Sequence, residues 1–419
     1  MIHGQMRRAG CWAIVATALF FGIGAAQGAG ASTASTGATH AASAASTAPA
    51  TATTWHVQPS ANAPGNRSSK LVDVACSAAN SCVGVGSSYP NPVSQCCSSR
   101  RLVERWNGST WAIQDTPGLS NPVNEVLNAV ACGGPASCTA VGYTDPNNLL
   151  IEHWNGTAWS LQTSPVTGGS LSDVSCPSPM SCFAVGARSN GTTPLIEGWN
   201  GTSWSVLPTP PAITTYKNNF YNSIACLSNT ACTAVGVDET QPPVQGGPVD
   251  GLPIVARWNG SSWSVGESAA PSGKQSELET VSCPTTTMCM ATGVSWLTRS
   301  DGSIYDQARL VELWNGHAWV ITSTPAPPSQ PQPPFVHDVD CASASSCIVV
   351  GVYLRPGGPD GSGHPLAIRW NGHAWSLDTT VKIGDSELSG VTCEHVDGCM
   401  AAGDAWTGST YHTLVETTF

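Results

Sequence analysis

The chain repeats a pattern of apolar and polar positions that is punctuated by turn residues. In one copy, LSDVSC (171–176) alternates, CFAVG (182–186) is small or β-branched, PLIEGWNG (194–201) runs into Asn-Gly, and TSWSVLPTP (202–210) ends at prolines. Alternation with a period of two is typical of a half-buried strand, and Asn-Gly between two such runs predicts a type I′ hairpin turn. Each copy therefore predicts four antiparallel strands.

Cysteine pairs with the spacing C-x5-C count the copies. First cysteines of neighbouring pairs are 44 to 58 residues apart, and a four-stranded unit of that length is the size of a propeller blade. Of the 17 cysteines, 14 belong to seven such pairs: Cys76 and Cys82, Cys132 and Cys138, Cys176 and Cys182, Cys226 and Cys232, Cys283 and Cys289, Cys341 and Cys347, Cys393 and Cys399. Seven pairs predict seven blades.

The two ends of the chain predict how the ring closes. The last copy stops after its third strand, TLVETTF (413–419), without a WNG-x-x-W hairpin. TTWHVQPS (53–60) precedes the first cysteine pair and has the form of an isolated fourth strand, with Trp55 at the position of Trp159. Pairing the two completes a blade and removes open sheet edges. We expect an all-β, seven-bladed β-propeller of four-stranded antiparallel blades over residues 55–419, closed by an N-terminal strand in the last blade.

This closure also predicts the orientation of the blades. The N-terminal strand is outermost, so the LxxVxC strand is innermost and the C-x5-C and WNG turns share one face. The long, irregular connections share the other, which we call the variable face, and binding loops on a rigid scaffold belong there. These connections are 87–101, 208–221, 237–252, 294–308, 323–337 and 352–365.

The N-terminal residues predict export. Arg7 and Arg8 precede a 16-residue apolar run, and AGA at 29–31 is a small-residue cleavage site, so residues 1–31 form a secretory signal peptide. The run is short for a membrane span, and an uncleaved anchor is the alternative. Residues 32–54 are low-complexity Ala, Ser and Thr, which predict a flexible stalk. We expect a secreted or cell-surface-associated, extracellular protein without a membrane span after signal cleavage.

An oxidising location favours disulfides over zinc in the C-x5-C pairs, because zinc sites usually use other spacings. Each short loop would contribute about 2–3 kcal/mol in the chain-entropy model. Cys96 and Cys97 lie outside the pattern, and both a vicinal disulfide and an intermolecular bridge remain open. The net charge of −11, with no basic cluster after the first dozen residues, argues against a nucleic-acid or anionic-membrane partner. We expect a monomer.

The WNG-x-x-W hairpins resemble the Asp-box (BNR) repeat of sialidase-like propellers, S/T-x-D-x-G-x-T-W. The box's aspartate position is tryptophan here. The resemblance implies a propeller whose box is structural and lies opposite the active site; the arginine triad, Tyr/Glu pair and acidic Asp of sialidases cannot be placed on this chain. Gly and Trp match in six hairpins: Gly108/Trp111, Gly156/Trp159, Gly201/Trp204, Gly260/Trp263, Gly316/Trp319 and Gly372/Trp375.

Residues that repeat around the ring predict structural contacts rather than chemistry. The glutamate of LIEHW (Glu152) recurs in five copies, whereas a catalytic carboxylate would normally occur once or twice. The hairpin tryptophans are predicted to pack between blades. Nucleophile-elbow, zinc-protease, phosphate-loop and cofactor motifs are absent from the sequence.

Candidate ligand-binding residues lie outside these repeated positions. Tyr89, Trp296, Tyr353 and Trp406 follow the second strand towards the variable face, where they could stack on sugar rings or anchor a protein; loop packing is the alternative. Asp73, Asp173 and Asp338 lie on innermost strands at the channel mouth. We expect no cofactor; the alternatives at these carboxylates are Ca²⁺ and a water-filled channel.

These observations predict a non-catalytic binding propeller that recognises a glycan or an extracellular protein through its variable face. The alternative is an extracellular carbohydrate-active enzyme, a glycoside hydrolase or lyase of sialidase-like architecture. Fold does not decide between them.

Overall fold

The computed structural model describes residues 52–65, 67–90, 99–119, 124–145, 148–189, 193–211, 219–239, 251–298, 304–327, 334–354, 363–396 and 398–419. The predicted signal peptide, the predicted stalk up to residue 51, and Cys96 and Cys97 lie outside these residues. Every regular element in the described residues is a β-strand. These residues contain no helix that is long and apolar enough to cross a membrane.

The strands form seven four-stranded antiparallel sheets, as the repeat predicts. Blade 1 consists of β2 (Arg67–Ala78), β3 (Ser81–Pro90), β4 (Arg100–Trp106) and β5 (Trp111–Ile113), and blade 2 of β6 (Glu125–Gly134), β7 (Ser137–Thr144), β8 (Asn148–Trp154) and β9 (Trp159–Leu161). Blade 3 consists of β10 (Gly169–Ser178), β11 (Ser181–Arg188), β12 (Pro194–Trp199) and β13 (Trp204–Val206), and blade 4 of β14 (Asn219–Ser228), β15 (Ala231–Glu239), β16 (Gly251–Trp258) and β17 (Trp263–Gly266).

Blade 7 is completed by the first strand of the chain. Blade 5 consists of β18 (Gln275–Thr285), β19 (Met288–Thr298), β20 (Ile304–Trp314) and β21 (Trp319–Ile321), and blade 6 of β22 (Phe335–Ser343), β23 (Ser346–Leu354), β24 (Gly363–Trp370) and β25 (Trp375–Leu377). Blade 7 consists of β26 (Asp385–His395), β27 (Gly398–Trp406), β28 (Tyr411–Thr417) and β1 (His56–Gln58). The first strands of neighbouring blades contact one another around the ring, so the LxxVxC strands are innermost.

The closure joins the two ends of the chain at the outer edge of blade 7. His56, Val57 and Gln58 pair with Thr417, Glu416 and Val415. Trp55 is fully buried, and its Nε1–H donates a hydrogen bond of 3.1 Å to Asp378. The predicted ring closure is confirmed.

All seven C-x5-C pairs are disulfides, one in each blade. Each joins the first two strands across their connecting turn, with Cα atoms 3.9 to 4.1 Å apart. The disulfides are therefore local to each blade, and contacts between blades depend on side-chain packing and hydrogen bonds.

The tryptophan hairpins form where predicted, but their turn is not type I′. Trp154 pairs with Trp159 across a four-residue loop in which Gly156 alone has a positive φ, of 96°. The Asn155 carboxamide oxygen accepts backbone N–H bonds from Thr157 and Ala158 at 2.9 and 3.0 Å. Asparagine is thus required for its side-chain acceptor, which stabilises an Asx-type turn without a left-handed backbone at that residue.

Candidate functional site

Asp73, Asp173 and Asp338 lie at equivalent positions of the innermost strands, and each joins two blades. Asp73 accepts hydrogen bonds from the N–H of Val74, at 2.7 Å, and from that of Val130 in the next blade, at 2.8 Å. The other two carboxylates bond in the same way to Val174 and Ile224, and to Val339 and Val391. The structure therefore gives these three residues a contact that spans adjacent blades.

Burial controls the protonation of these channel carboxyls. It raises the pKa of Asp73 to about 7 against the opposing effect of its N–H donors, and the nearby Asp173 adds to the increase. Burial also raises the pKa of Asp338, reinforced by Asp73. Each of the three carboxylates accepts two backbone N–H groups. No group of three or more His, Cys, Asp or Glu side chains among the described residues is arranged to hold a metal ion.

The four candidate aromatics differ in accessibility. Trp296 is only 4% exposed, so its ring offers no stacking surface in this conformation. Tyr353 is half-buried and stacks on His364, with ring centroids 5.0 Å apart. Tyr89 is half-buried and accepts a hydrogen bond of 2.7 Å from Ser87. Trp406 is half-buried on the variable face of blade 7, and the structure does not bring the four together in one site.

Trp406 belongs to a cluster that the sequence patterns did not predict, at the junction of blades 7 and 1. Its ring packs against Tyr411 with centroids 4.8 Å apart. The Lys70 ammonium, from the innermost strand of blade 1, lies 3.8 Å from the centre of the Tyr411 ring and 3.2 Å from an Asp404 carboxylate oxygen. Glu387 is the cross-strand partner of Asp404. Because Lys70 and Asp404 are 334 positions apart, their contact depends on ring closure, and no local motif reveals it.

The register of blade 7 explains how the carboxylates come together. Asp385 pairs with Trp406, and Glu387 pairs with Asp404, so that alternate residues of β26 and β27 point to the same face of the sheet. Asp385 is exposed, whereas the Asp404 side chain is 5% exposed. We refer to Lys70, Asp385, Glu387, Asp404, Trp406 and Tyr411 as the junction cluster.

Electrostatics in the junction cluster are dominated by burial and by the excess of carboxylates. Burial raises the pKa of Asp404 to about 7, although the ion pair with Lys70 opposes this and Glu387 reinforces it. Burial disfavours the charge of Lys70, but attraction by Asp404 and Glu387 outweighs that effect and raises its pKa. Lys70 is therefore attracted to two acidic side chains, while Asp385 accepts a hydrogen bond from the N–H of Gly363 in blade 6.

The recurring glutamates are structural contacts between blades. Each is fully buried and bonds to the preceding blade or to the segment that leaves it. Glu197 accepts a 2.6 Å bond from Ser164, and Glu312 accepts bonds from Ser268 and from the N–H of Ala269. Glu104 and Glu416 accept the N–H groups of Ala61 and Val381, and Glu152 pairs with Arg101 at 2.8 Å.

Comparison with known proteins supports the fold alone. No family model matches the chain, and neither does any curated protein, so the resemblance to the Asp-box repeat stays a prediction. A structure of YCF48 bound to D1 peptide is similar at a TM-score of 0.51, with 13% identity over 87% of this chain and 94% of that one. YCF48 from Cyanidioschyzon merolae gives 0.49, with 15% identity over 87% and 98%. A GH74 xyloglucanase from Xanthomonas campestris gives 0.47, with 11% identity over 80% and 50%.

Proposed function

We propose that this chain is an extracellular, non-catalytic binding propeller that recognises a ligand through its variable face. Of the glycan and protein ligands that the sequence allows, the junction cluster favours a protein with a basic segment. Asp404 is paired with Lys70, but Asp385 is exposed and Glu387 half-buried, and both are acidic and lie beside the half-buried ring of Trp406. Carboxylates and aromatic faces together recognise Lys and Arg side chains.

The junction cluster does not favour the alternative, a glycoside hydrolase or lyase. Retaining and inverting glycosidases place two carboxyl groups on either side of the bond that is cleaved. Asp404 is almost inaccessible and is paired with Lys70, so it is poorly placed to reach a substrate. A propeller of similar fold has been solved with a bound peptide, which is compatible with a protein ligand.

Binding of the purified chain to an array of basic peptides, with charge-reversed peptides as reference, tests the proposal. Asp385→Asn and Trp406→Ala are each expected to weaken binding about tenfold, and added salt is expected to weaken binding to the unaltered chain. Asp115→Asn is the matched control, because Asp115 is an exposed carboxylate outside the junction cluster.

Equal binding by all three variants would place the ligand elsewhere. Absence of binding to every basic peptide would exclude this ligand class. Turnover of a fluorogenic glycoside panel by the unaltered chain would overturn the non-catalytic assignment.

A further inference from the structure

A cleft of about 540 Å³ lies on the flank of the ring between blades 5 and 6. Residues 322–325, which leave blade 5, form one wall, and Trp370, His373 and Trp375 of the blade 6 hairpin form the other. This volume falls in the range of roughly 300–1,000 Å³ that small-molecule sites occupy. The cleft is remote from the innermost strands and from the junction cluster of blades 7 and 1.

The junctions differ in what the connecting segment contributes. In five of the other six junctions an aliphatic side chain from the preceding segment packs on the core of the following blade, whereas the core of blade 1 receives none from the described residues; these side chains are Leu119, Val166, Leu207, Ala269 with Ala270, and Ile383. Residues 322–327 read TSTPAP, and the buried side chain of this segment is that of Pro327. Trp375 is half-buried, whereas its counterparts Trp159 and Trp319 are each 6% exposed.

The hydroxyl groups of this wall do not donate to a glutamate of the following blade, as the equivalent groups of other junctions do. In two other junctions, Ser164 and Ser268 donate to the recurring glutamate of the following blade. Blade 6 has Ile368 at that position, which cannot accept a hydrogen bond. Thr324 stands at the position of Ser164, since TSP at 163–165 aligns with STP at 323–325, and its hydroxyl has no hydrogen-bond partner among the described residues. Arg309 holds the wall by donating to the carbonyls of Thr324 and Pro325 at 3.3 and 3.0 Å.

The chemistry of the cleft suits a neutral, hydroxylated ring. The Trp370 and Trp375 rings lie 5.3 Å apart. The Trp375 Nε1–H donates to Thr322 at 3.1 Å. None of the described lining residues is Asp, Glu, Lys or Arg. Indole faces bind the C–H face of a pyranose, and hydroxyl and imidazole groups bind its O–H groups.

We propose that this cleft binds a neutral saccharide, whose ring packs on Trp375 and whose hydroxyls bond to Ser323, Thr324 and His373. The site is independent of the variable face, so either proposal can fail without the other.

Two pairs of matched variants test the site. His373→Ala removes a lining side chain, and His317→Ala makes the same change in blade 5, whose hairpin has the identical sequence WNGHAW. Ser323→Leu fills the cleft, and Thr163→Leu changes the equivalent exposed residue between blades 2 and 3. Tryptophan fluorescence and saccharide-observed NMR, with cellobiose, maltose, lactose and N,N′-diacetylchitobiose as probes, measure binding.

We expect at least one probe to bind, with affinity reduced about tenfold or more in His373→Ala and Ser323→Leu and unchanged in the two control variants. Circular dichroism and melting temperature verify that each variant is folded. Absence of binding to all four probes would overturn the proposal, as would equal affinity in cleft and control variants. Binding of a proline-rich peptide in place of every saccharide would overturn the ligand class.

Discussion

Buried carboxyl groups are concentrated where one blade meets the next. Burial raises the pKa of Glu104, Glu152 and Glu416 to about 7, and Asp73 in the channel reaches a similar value. Backbone donors, or Arg101 in the case of Glu152, oppose the increase without cancelling it. Contacts between blades therefore depend on the protonation of groups that are normally ionised at neutral pH.

The free energy of unfolding is expected to fall as the pH rises from 5 to 8. A group whose folded pKa is about 7 and whose ordinary pKa is 4.5 or 3.8 stabilises the fold fully below the ordinary value, and this contribution is lost as the pH rises through 7. Melting temperatures at the two pH values measure the effect, and Glu416→Gln should reduce the difference because an amide does not titrate. A melting temperature that is equal or higher at pH 8 would contradict this account.

Lys70→Met is expected to destabilise the protein more at pH 8 than at pH 5. Without the ammonium, which lowers the pKa of Asp404, the carboxyl at pH 8 must either stay ionised while buried or take up a proton, at a cost on the order of 3 kcal/mol. At pH 5 the carboxyl of Asp404, whose pKa is about 7, is protonated and the cost is smaller. Urea unfolding at both pH values measures this, with Lys70→Arg as the charge-retaining control. An equal loss at both pH values would show that packing dominates.

At the scale of the strand, a glycine in the second strand of each blade allows the first strand to bulge. In blade 4 the register shifts between Tyr221 and Ser223, and a Cβ on Gly236 would lie 1.9 Å from the Phe220 carbonyl oxygen. Gly236→Ala is therefore expected to cost about 2 kcal/mol or more, because the backbone must move. Gly266→Ala in the outermost strand is the control, since its nearest neighbour would be 4.0 Å away. Chemical denaturation compares them; similar stabilities would show that the bulge is adaptable.

Strand-scale features were predictable because they depend on neighbouring residues. Alternation, C-x5-C spacing and the unmatched Trp55 strand together predicted the blade, the disulfide and the closure. The turn type was mispredicted because Asn155 acts through its carboxamide oxygen, which the Asn-Gly signal does not distinguish from a left-handed backbone. The burial of Trp296 and the contact of Lys70 with Asp404 depend on packing between distant segments, which local patterns do not encode.

For the molecule as a whole, the ring is closed by the short pairing of β1 with β28, which we call the seam. Trp55 is fully buried beside three pairs of residues in β1 and β28. Trp55→Ala is expected to cost about 3–5 kcal/mol, as for other buried tryptophans. Trp375→Ala, at the equivalent position of blade 6, should cost less because that side chain is half-buried. Differential scanning calorimetry ranks the two, and a larger loss for Trp375→Ala would contradict the role of the seam.

The sequential spacing of the disulfides has a consequence for oxidative folding. In each of the seven pairs, the second cysteine follows the first by six positions. A chain that is oxidised from its N-terminus as it is synthesised can therefore form each bond before the next pair emerges. Errors of pairing between blades are then rare, and a disulfide oxidase suffices where an isomerase would otherwise be needed. Oxidation of the chain while it is being translated, with and without a disulfide isomerase, should give equal yields of native protein. A strong requirement for the isomerase would indicate that cysteines of different blades pair with one another.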